Sequence, residues 1–363
     1  MKKENWEVKK LRDVGKVVTG STPKTSENIN YNSNDYCFVK PSDFTSSIKE
    51  IHNSEFYISR YAYKNSRQLP VNSVLVTCIG NIGNIAINKV ECTTNQQINS
   101  IIPYNDINSK FLAYSVFSKR EYLQFIANAP VVPILNKTNF SNVEIPIPPL
   151  PIQEAIVKEL DSLHRLKELQ EQQLTEYDNL AQSTFYSMFG DPIENDRGWE
   201  VRKMGEVCEI TNGRNQKKVE DPKGIYPIMG SGGIMGYANE FLCPKDTVII
   251  GRKGTINKPF IVKEKVWIVD TAFGFVANNS LLNSHFLNYF CKSFDFNRLN
   301  VAVTIPSLRK IDLKEIPIPI PPLSLQSQFA ERINKIEELK QLVKQSISQT
   351  QLLIDYTMDK YFN

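Results

Sequence analysis

The sequence predicts an α+β chain: two mixed α/β heads joined by two long helices, packed as an antiparallel coiled coil with a pseudo-twofold internal repeat. Three observations predict it. Ile145-Pro146-Ile147-Pro148-Pro149-Leu150 recurs as Ile318-Pro319-Ile320-Pro321-Pro322-Leu323, an offset of 173 that also pairs Gln153 with Gln326, Leu160 with Ile333 and Phe189 with Phe362. The starts match as well, Trp6-Glu7-Val8 answering Trp199-Glu200-Val201 and Gly20 answering Gly213. Each half then runs in the same order: a basic entry segment, short β-rich runs with Gly/Asn turns, a proline strap, and a long polar stretch without internal Gly or Pro.

The strap cannot be helical, because its prolines lack amide donors and push their neighbours into extended geometry. It reads as an edge strand or polyproline segment feeding the helix. The helices span about Gln153 to Phe189 and Gln326 to about Tyr361. Apolar residues fall mostly at steps of three and four, at Leu160, Leu163, Leu166, Leu169 and Leu174 in the first and at Ile333, Ile336, Leu339, Leu342, Val343 and Ile347 in the second. A narrow apolar stripe with polar flanks is a coiled-coil seam, and each helix is the obvious partner of the other. Leu160, Leu163, Leu174, Ile333, Ile336, Val343 and Ile347 are the expected packing residues. The first helix stops at Gly190-Asp191-Pro192 and the second head follows at once. Antiparallel packing then puts one head at each end of a rod of roughly 50 Å; parallel packing would need a connection as long as the rod. Boundaries follow at 1–150 and 191–323 for the heads, and 151–190 and 324–363 for the helices.

Each head contains a strand, a Gly-rich turn and a strand: Val74-Leu75-Val76-Thr77 with Gly80-Asn81-Ile82-Gly83, and Val248-Ile249-Ile250-Gly251 with Arg252-Lys253-Gly254-Thr255. A short helix follows in each, marked by Phe111-Leu112-Ala113-Tyr114 and Phe286-Leu287-Asn288-Tyr289. The first head is the longer: Tyr36 to Val74 spans 38 positions and Tyr226 to Val248 spans 22. The rod is kept while the heads diverge, as expected if two heads on one scaffold recognise different things.

With 363 residues, 41% hydrophobic and 23% charged, the chain has the composition of two soluble globular domains. No apolar stretch is long enough for a bilayer, and Met1-Lys2-Lys3-Glu4-Asn5 is followed by no apolar segment, so a cytoplasmic location is expected. The six cysteines are scattered without a CxxC, which fits reduced buried thiols. The net charge of +4 is modest, but residues 153–190 hold seven acids against three bases and residues 326–363 hold five of each, so the excess of positive charge lies on the heads. Clustered charge of that kind suits a polyanion.

Arg252, Lys253 and Lys258 on one Gly-rich loop, and Arg214, Lys217 and Lys218 after Gly213, can meet phosphates. Asn81, Asn84, Asn95, Gln96 and Gln97 in the first head are amides able to read base edges, adenine in particular. Ser231, Thr255, Arg309 and Lys310 complete the candidate set. Taken singly, the lysines are ordinary solvated surface and the amides ordinary turn formers; it is their clustering on loops that points to nucleic acid. No catalytic constellation is legible: His52, His164 and His285 occupy unrelated places without metal-ligand spacing, no GxSxG is present, and Gly230-Ser231-Gly232-Gly233 lacks the residues of a phosphate loop. A rival reading is a two-headed scaffold or adaptor that binds proteins or glycans.

Over essentially its whole length the chain resembles the specificity (S) subunits of type I restriction-modification systems. The resemblance is carried by Trp-Glu-Val at each start, Gly213-Arg214-Asn215, Tyr226-Pro227-Ile228-Met229-Gly230-Ser231-Gly232-Gly233, Gly251-Arg252-Lys253-Gly254-Thr255, Asp270-Thr271-Ala272-Phe273 and the twice-used strap with its downstream Gln. The first head departs from the pattern, with Val39-Lys40-Pro41-Ser42-Asp43-Phe44 in place of the Gly-Ser-Gly-Gly turn and Thr77-Cys78-Ile79-Gly80 in place of Gly-Arg-Lys-Gly. The resemblance implies a subunit without catalysis of its own. Each head becomes a target-recognition domain for one half of an interrupted double-stranded DNA site. The helices become conserved spacers that dock modification (M) subunits, two per chain. It also implies no cofactor in this chain, S-adenosylmethionine and adenine methylation in the M subunits, ATP and Mg in restriction (R) subunits, and no membrane.

Overall fold

In the computed structural model the described residues are 6–127, 132–300 and 305–362; the charged run Met1–Asn5 lies outside them. The chain forms two compact units, Met1–Leu169 with Ile347–Asn363, and Gln170–Ser346.

The first unit contains β1 (Glu7–Lys10), α1 (Leu11–Val14), β2 (Gly15–Thr19), β3 (Tyr36–Val39), β4 (Lys49–Ile51), β5 (Tyr57–Ile58), α2 (Arg60–Lys64), β6 (Val74–Thr77), β7 (Ile85–Asn88), β8 (Cys92–Thr94), β9 (Ile98–Pro103), α3 (Ser109–Ser118), α4 (Arg120–Ile126), α5 (Lys137–Ser141) and β10 (Glu144–Ile147). From it rises α6 (Leu150–Phe189), which continues into the second unit. The second unit adds β11 (Glu200–Lys203), α7 (Met204–Val207), β12 (Cys208–Asn212), β13 (Tyr226–Gly230), β14 (Gly233–Ala238), β15 (Val248–Gly251), β16 (Phe260–Ile261), β17 (Trp267–Ile268), β18 (Ala272–Ala277), α8 (Ser284–Ser293), α9 (Lys310–Lys314) and β19 (Pro317–Ile320), then α10 (Leu323–Phe362).

The strap is a strand in both units. β10 pairs antiparallel with β1, Val8 opposite Pro146, and β19 pairs with β11 in the same way, Val201 opposite Pro319. Ile-Pro alternation matches the period of two: Ile145, Ile147 and Ile318 are buried. A two-stranded ribbon also leaves each proline a side from which no ladder bond is needed. The prolines that close the strap start the helices. The Pro149 carbonyl accepts from the amides of Ile152 and Gln153 (2.9 and 3.1 Å), and the Pro322 carbonyl from those of Leu325 and Gln326 (2.9 and 3.1 Å). Each helix therefore begins three residues before the predicted start and runs for 40 residues, since Pro151 in the first turn sacrifices no intrahelical bond.

In the first unit the helices meet through Tyr361 to Glu159 (2.7 Å) and Lys167 to Gln351 (2.7 Å). In the second they meet through Gln170 to Ser346 (2.8 Å), Lys340 to Asp178 (2.7 Å) and the rings of Phe185 and Phe329. Partner numbers fall as α6 numbers rise, so the segments run antiparallel in both units. Leu160 and the end residues Tyr361 and Phe362 join the core of the first unit, and Ile333 and Ile336 join Phe185 and Phe189 in the core of the second. Leu163, Leu174, Val343 and Ile347 are half-buried. The seam is narrower than the apolar stripe: Leu166 and Leu169 are each 45% exposed and Leu342 60%. The bonds from Lys167 and Gln170 to the opposite helix put polar side chains at that contact.

Besides the strap ribbon, each unit carries two sheets built on one plan. The larger is β2-β9-β6-β7-β4 in the first unit and β12-β18-β15-β16 in the second; the smaller is β5-β3-β8 and β14-β13-β17. The extra strand β4 and the hairpin partner of β13 are where the units differ. All six cysteines are buried free thiols.

Candidate nucleic-acid interface

In the second unit five loops converge on one end of the sheets, and backbone contacts fix them. The Gly213 amide donates to the Ala272 carbonyl (3.1 Å) and the Arg214 amide to that of Ile268 (2.9 Å). A Cβ on Gly213 would overlap the Val269 carbonyl, so only glycine permits this approach. Val269 donates to the Met229 carbonyl (3.0 Å), which brings in the end of β13. A Cβ on Gly251 would overlap the Thr255 carbonyl and meet Ser231 Cβ at 3.1 Å. Arg252 donates from its amide to Thr271 (2.8 Å) and accepts from Leu308 (2.9 Å), while Gly254 donates to Pro306 (3.0 Å). Arg214, Ser231, Arg252, Lys253 and Thr255 thus share one tip. The Arg252 guanidinium lies 5.8 Å from the Phe273 ring and 3.4 Å from the Asp270 carbonyl, so its long side chain is held in place before any ligand arrives.

The remaining basic candidates are dispersed. Lys217 and Lys218 are exposed, but their loop runs towards the open end of the β13–β14 hairpin, where Asn239 donates to Val219 (3.1 Å) and Asp221 to Tyr237 (2.9 Å). Lys258 is exposed beside Asn257, whose side chain bonds Asp295 (2.9 Å) and the Phe296 amide (2.8 Å). Arg309, one residue beyond the tip, is engaged twice by the Asp312 carboxylate (2.7 and 3.0 Å). Lys310 is half-buried at the start of α9.

The first unit repeats the frame with other side chains. Gly20 donates to Ile98 (3.0 Å), Ser21 to Thr94 (2.8 Å), Asn95 to Val39 (3.2 Å), Leu135 to Cys78 (2.9 Å) and Gly80 to Pro133 (3.3 Å). Cys78 therefore stands where the second unit has Arg252, and Ser21 where it has Arg214. Cys78 is buried, and burial pushes its thiol up to about 12. Asn81 is exposed on a turn braced by Thr77, whose hydroxyl donates to the Asn81 carbonyl and accepts from the Asn84 amide (3.0 Å). The Asn84 side chain accepts from Arg120 (2.7 Å), which also reaches the Ser46 carbonyl (3.1 Å). Asn81, Asn84, Ser46 and Arg120 line an open cavity of about 620 Å³ with Phe44, Gln124 and Pro133. Gln96 is exposed and accepts from the Thr22 hydroxyl (2.6 Å).

Asn95 is placed differently from Asn81 and Gln96. It is buried, its amide donating to the Gln97 side chain (2.8 Å) and its carbonyl oxygen accepting from the Gln97 amide (3.1 Å). It shapes the turn and presents no free edge, because Asn forms such local turns readily. Lys40, whose ammonium lies 3.2 Å from the centre of the Phe56 ring, Arg120, Ser21 and Thr22 also lie at this tip, outside the candidates that sequence reasoning singles out. Ser21 and Thr22 were findable, since they follow Gly20 as Arg214 follows Gly213.

Among the described residues no group of His, Cys, Asp and Glu could hold a metal ion, and no helix is long and apolar enough to cross a membrane.

The type I restriction modification DNA specificity domain model matches residues 3–177 and again 196–351. The chain belongs to that family. It is 30% identical to the MjaIX specificity subunit of Methanocaldococcus jannaschii across 60% of this chain and 55% of that subunit, about half its length. It is 23% identical to the MjaVIII specificity subunit of the same organism, across 95% of this chain and 89% of that one. In fold it is similar to the type I S subunit of M. genitalium (TM-score 0.62, 14% identity, 99% and 96% of the two chains) and to a chain of another type I system (TM-score 0.66, 18% identity, 99% and 98%). Specificity subunits are non-catalytic, and the adaptor reading draws no support from these relatives.

Proposed function

We propose that this specificity subunit reads double-stranded DNA, each head taking one half of an interrupted site. The observation that carries the reading is the repeated tip: one backbone frame, fixed by matching amide–carbonyl bonds, carries Arg214, Arg252 and Lys253 in one unit and Ser21, Cys78 and Ile79 in the other. A shared frame with exchanged side chains suits two readers of different sequences.

Lysine and arginine contacts to phosphates supply salt-dependent affinity with little sequence information. Side chains that reach base edges set the sequence: Arg252 suits guanine, and the Asn81 and Gln96 amides suit adenine. The helices hold the heads apart and dock modification subunits, two per chain. Chemistry belongs to the partners: methyl transfer from S-adenosylmethionine to adenine in the modification subunits, and ATP- and Mg-dependent cleavage in restriction subunits, all in the cytoplasm with the DNA. Heads 1–150 and 191–323 and spacers 151–190 and 324–363 are the working division.

Co-expression with the modification subunit and mapping of methylated adenines is the test. Methylation at an interrupted sequence that changes in one half only when Arg252 is replaced supports the reading. Methylation that persists unchanged without this chain overturns it.

A further inference from the structure

Two exposed side chains at the tip of the second unit are explained by neither charge nor hydrogen bonding. Ile234 and Met235 are 61% and 62% exposed, and they are consecutive on β14, an edge strand. Neighbours in a regular strand point to opposite faces. Here Met229 pairs with Ile234 and Ile228 with Gly236, so Met235 is the extra residue of a β-bulge. Bulges re-aim side chains. The hairpin is built to hold this one: Gly233 has φ +117, and Met235 Sδ lies 2.7 Å from where a Cβ on Gly230 would stand. Gly230 also adjoins Val269, and Ser231 adjoins Gly251, so Met235 lies against the loops that neighbour those of Arg214 and Arg252. Among the described residues of the first unit, β3 pairs with β5 without such a shift, and Lys40 follows it.

Ile234 and Met235 are adjacent and the bulge aims them, so together they form one apolar spot at the tip. The arginines of the neighbouring loops fit a polyanion, and the apolar feature that the major groove offers is the thymine 5-methyl group. We propose that Ile234 and Met235 read a thymine methyl in the half-site taken by the second head. This rests on the DNA-reading function proposed above.

The test uses the chain purified with its modification subunit and duplexes carrying the mapped site. Each thymine is replaced in turn by deoxyuridine, which keeps pairing and lacks the methyl. At one or more thymines of a single half-site, binding should weaken roughly fourfold, the worth of about one buried methyl. That half-site should be the one altered by replacing Arg252. The Ile234→Ser, Met235→Ser double variant should bind both duplexes alike. Equal binding of all deoxyuridine duplexes by the unaltered complex overturns the inference, as does a half-site without thymine on either strand. A double variant that sheds the modification subunit while remaining sensitive to deoxyuridine also overturns it, and makes the hairpin a protein contact. A complex that retards no duplex at any salt concentration sinks the DNA reading itself.

Discussion

Gln153 and Gln326 show what a single side chain does for the repeat. Each is buried where strap becomes helix. Gln153 donates to the carbonyls of Asp106 (3.1 Å) and Pro148 (2.9 Å) and accepts from the Asn108 amide (2.9 Å). Gln326 does the same with Leu281 (3.1 Å), Pro321 (2.8 Å) and Asn283 (2.7 Å). Asn108 and Asn283 cap α3 and α8, so one amide ties strap, long helix and head helix together. Gln326→Leu leaves three buried backbone groups unpaired and should cost about 2–4 kcal/mol, read as a lower urea midpoint. Gln326→Glu, which loses the donor and faces two carbonyls with an oxygen, should be no milder. The pairing of these glutamines was legible from the offset of the repeat, but their role was not, because two of the three partners of each lie more than forty positions away in sequence. His285 gives a pH dependence. Burial first, then Lys263, holds its pKa below the ordinary 6.5. The folded imidazole is neutral where the unfolded one binds a proton, so stability should fall as pH drops through 6.5 towards the folded pKa and rise with pH over that window. Urea midpoints at pH 7.5 and 5.5 should differ, and His285→Gln should shrink the difference. His164, lowered by burial in the first unit, adds in the same direction.

At the scale of elements, periodicity revealed the long helices, proline chemistry narrowed the strap to an edge strand or polyproline segment, and β-rich runs around Gly-rich turns revealed the strand–turn–strand cores. The bulge in β14 was not legible, because it depends on the register that the β13–β14 hairpin adopts; the turn role of Asn95 rests on Gln97 two residues on, and is the ordinary behaviour of an asparagine. The end of α6 combines the two kinds of signal. Gly190 was readable as a stop, and its φ of +76 is the left-handed geometry that glycine favours. What the sequence hides is the closure behind it. A Cβ there would overlap the Asp196 carboxylate, which accepts from the Asp191 amide (3.0 Å), and Trp199 donates from its ring nitrogen to the Phe189 carbonyl (2.9 Å). Gly198, with φ +65 and open space around it, is the natural control. Gly198→Ala should cost only backbone strain, about 1 kcal/mol, whereas Gly190→Ala should cost more, roughly 2–3 kcal/mol, because it also displaces Asp196. Equal shifts in thermal midpoint for the two variants would mean that the Asp196 clasp contributes nothing.

For the whole molecule, the proposed function makes helix length a measure of DNA. Both helices run for 40 residues, and their contacts in each unit lie in the same antiparallel sense. Polar pairs such as Gln170–Ser346 and Lys340–Asp178 fix the register in the second unit. If the paired helices hold the heads apart as proposed, removing one turn from each at opposing positions shortens the spacer by about 5.4 Å. That is between one and two base pairs at about 3.4 Å each. The heads fold around their own cores and keep their tips, so both half-sites should stay the same while the interval between them shrinks. A deletion in one helix alone should instead break the pairing of the two and lower stability without defining a new interval. Methylated-adenine mapping in cells carrying the double deletion decides it. An unchanged interval with altered half-sites would mean that the helices serve the heads and do not set the spacing.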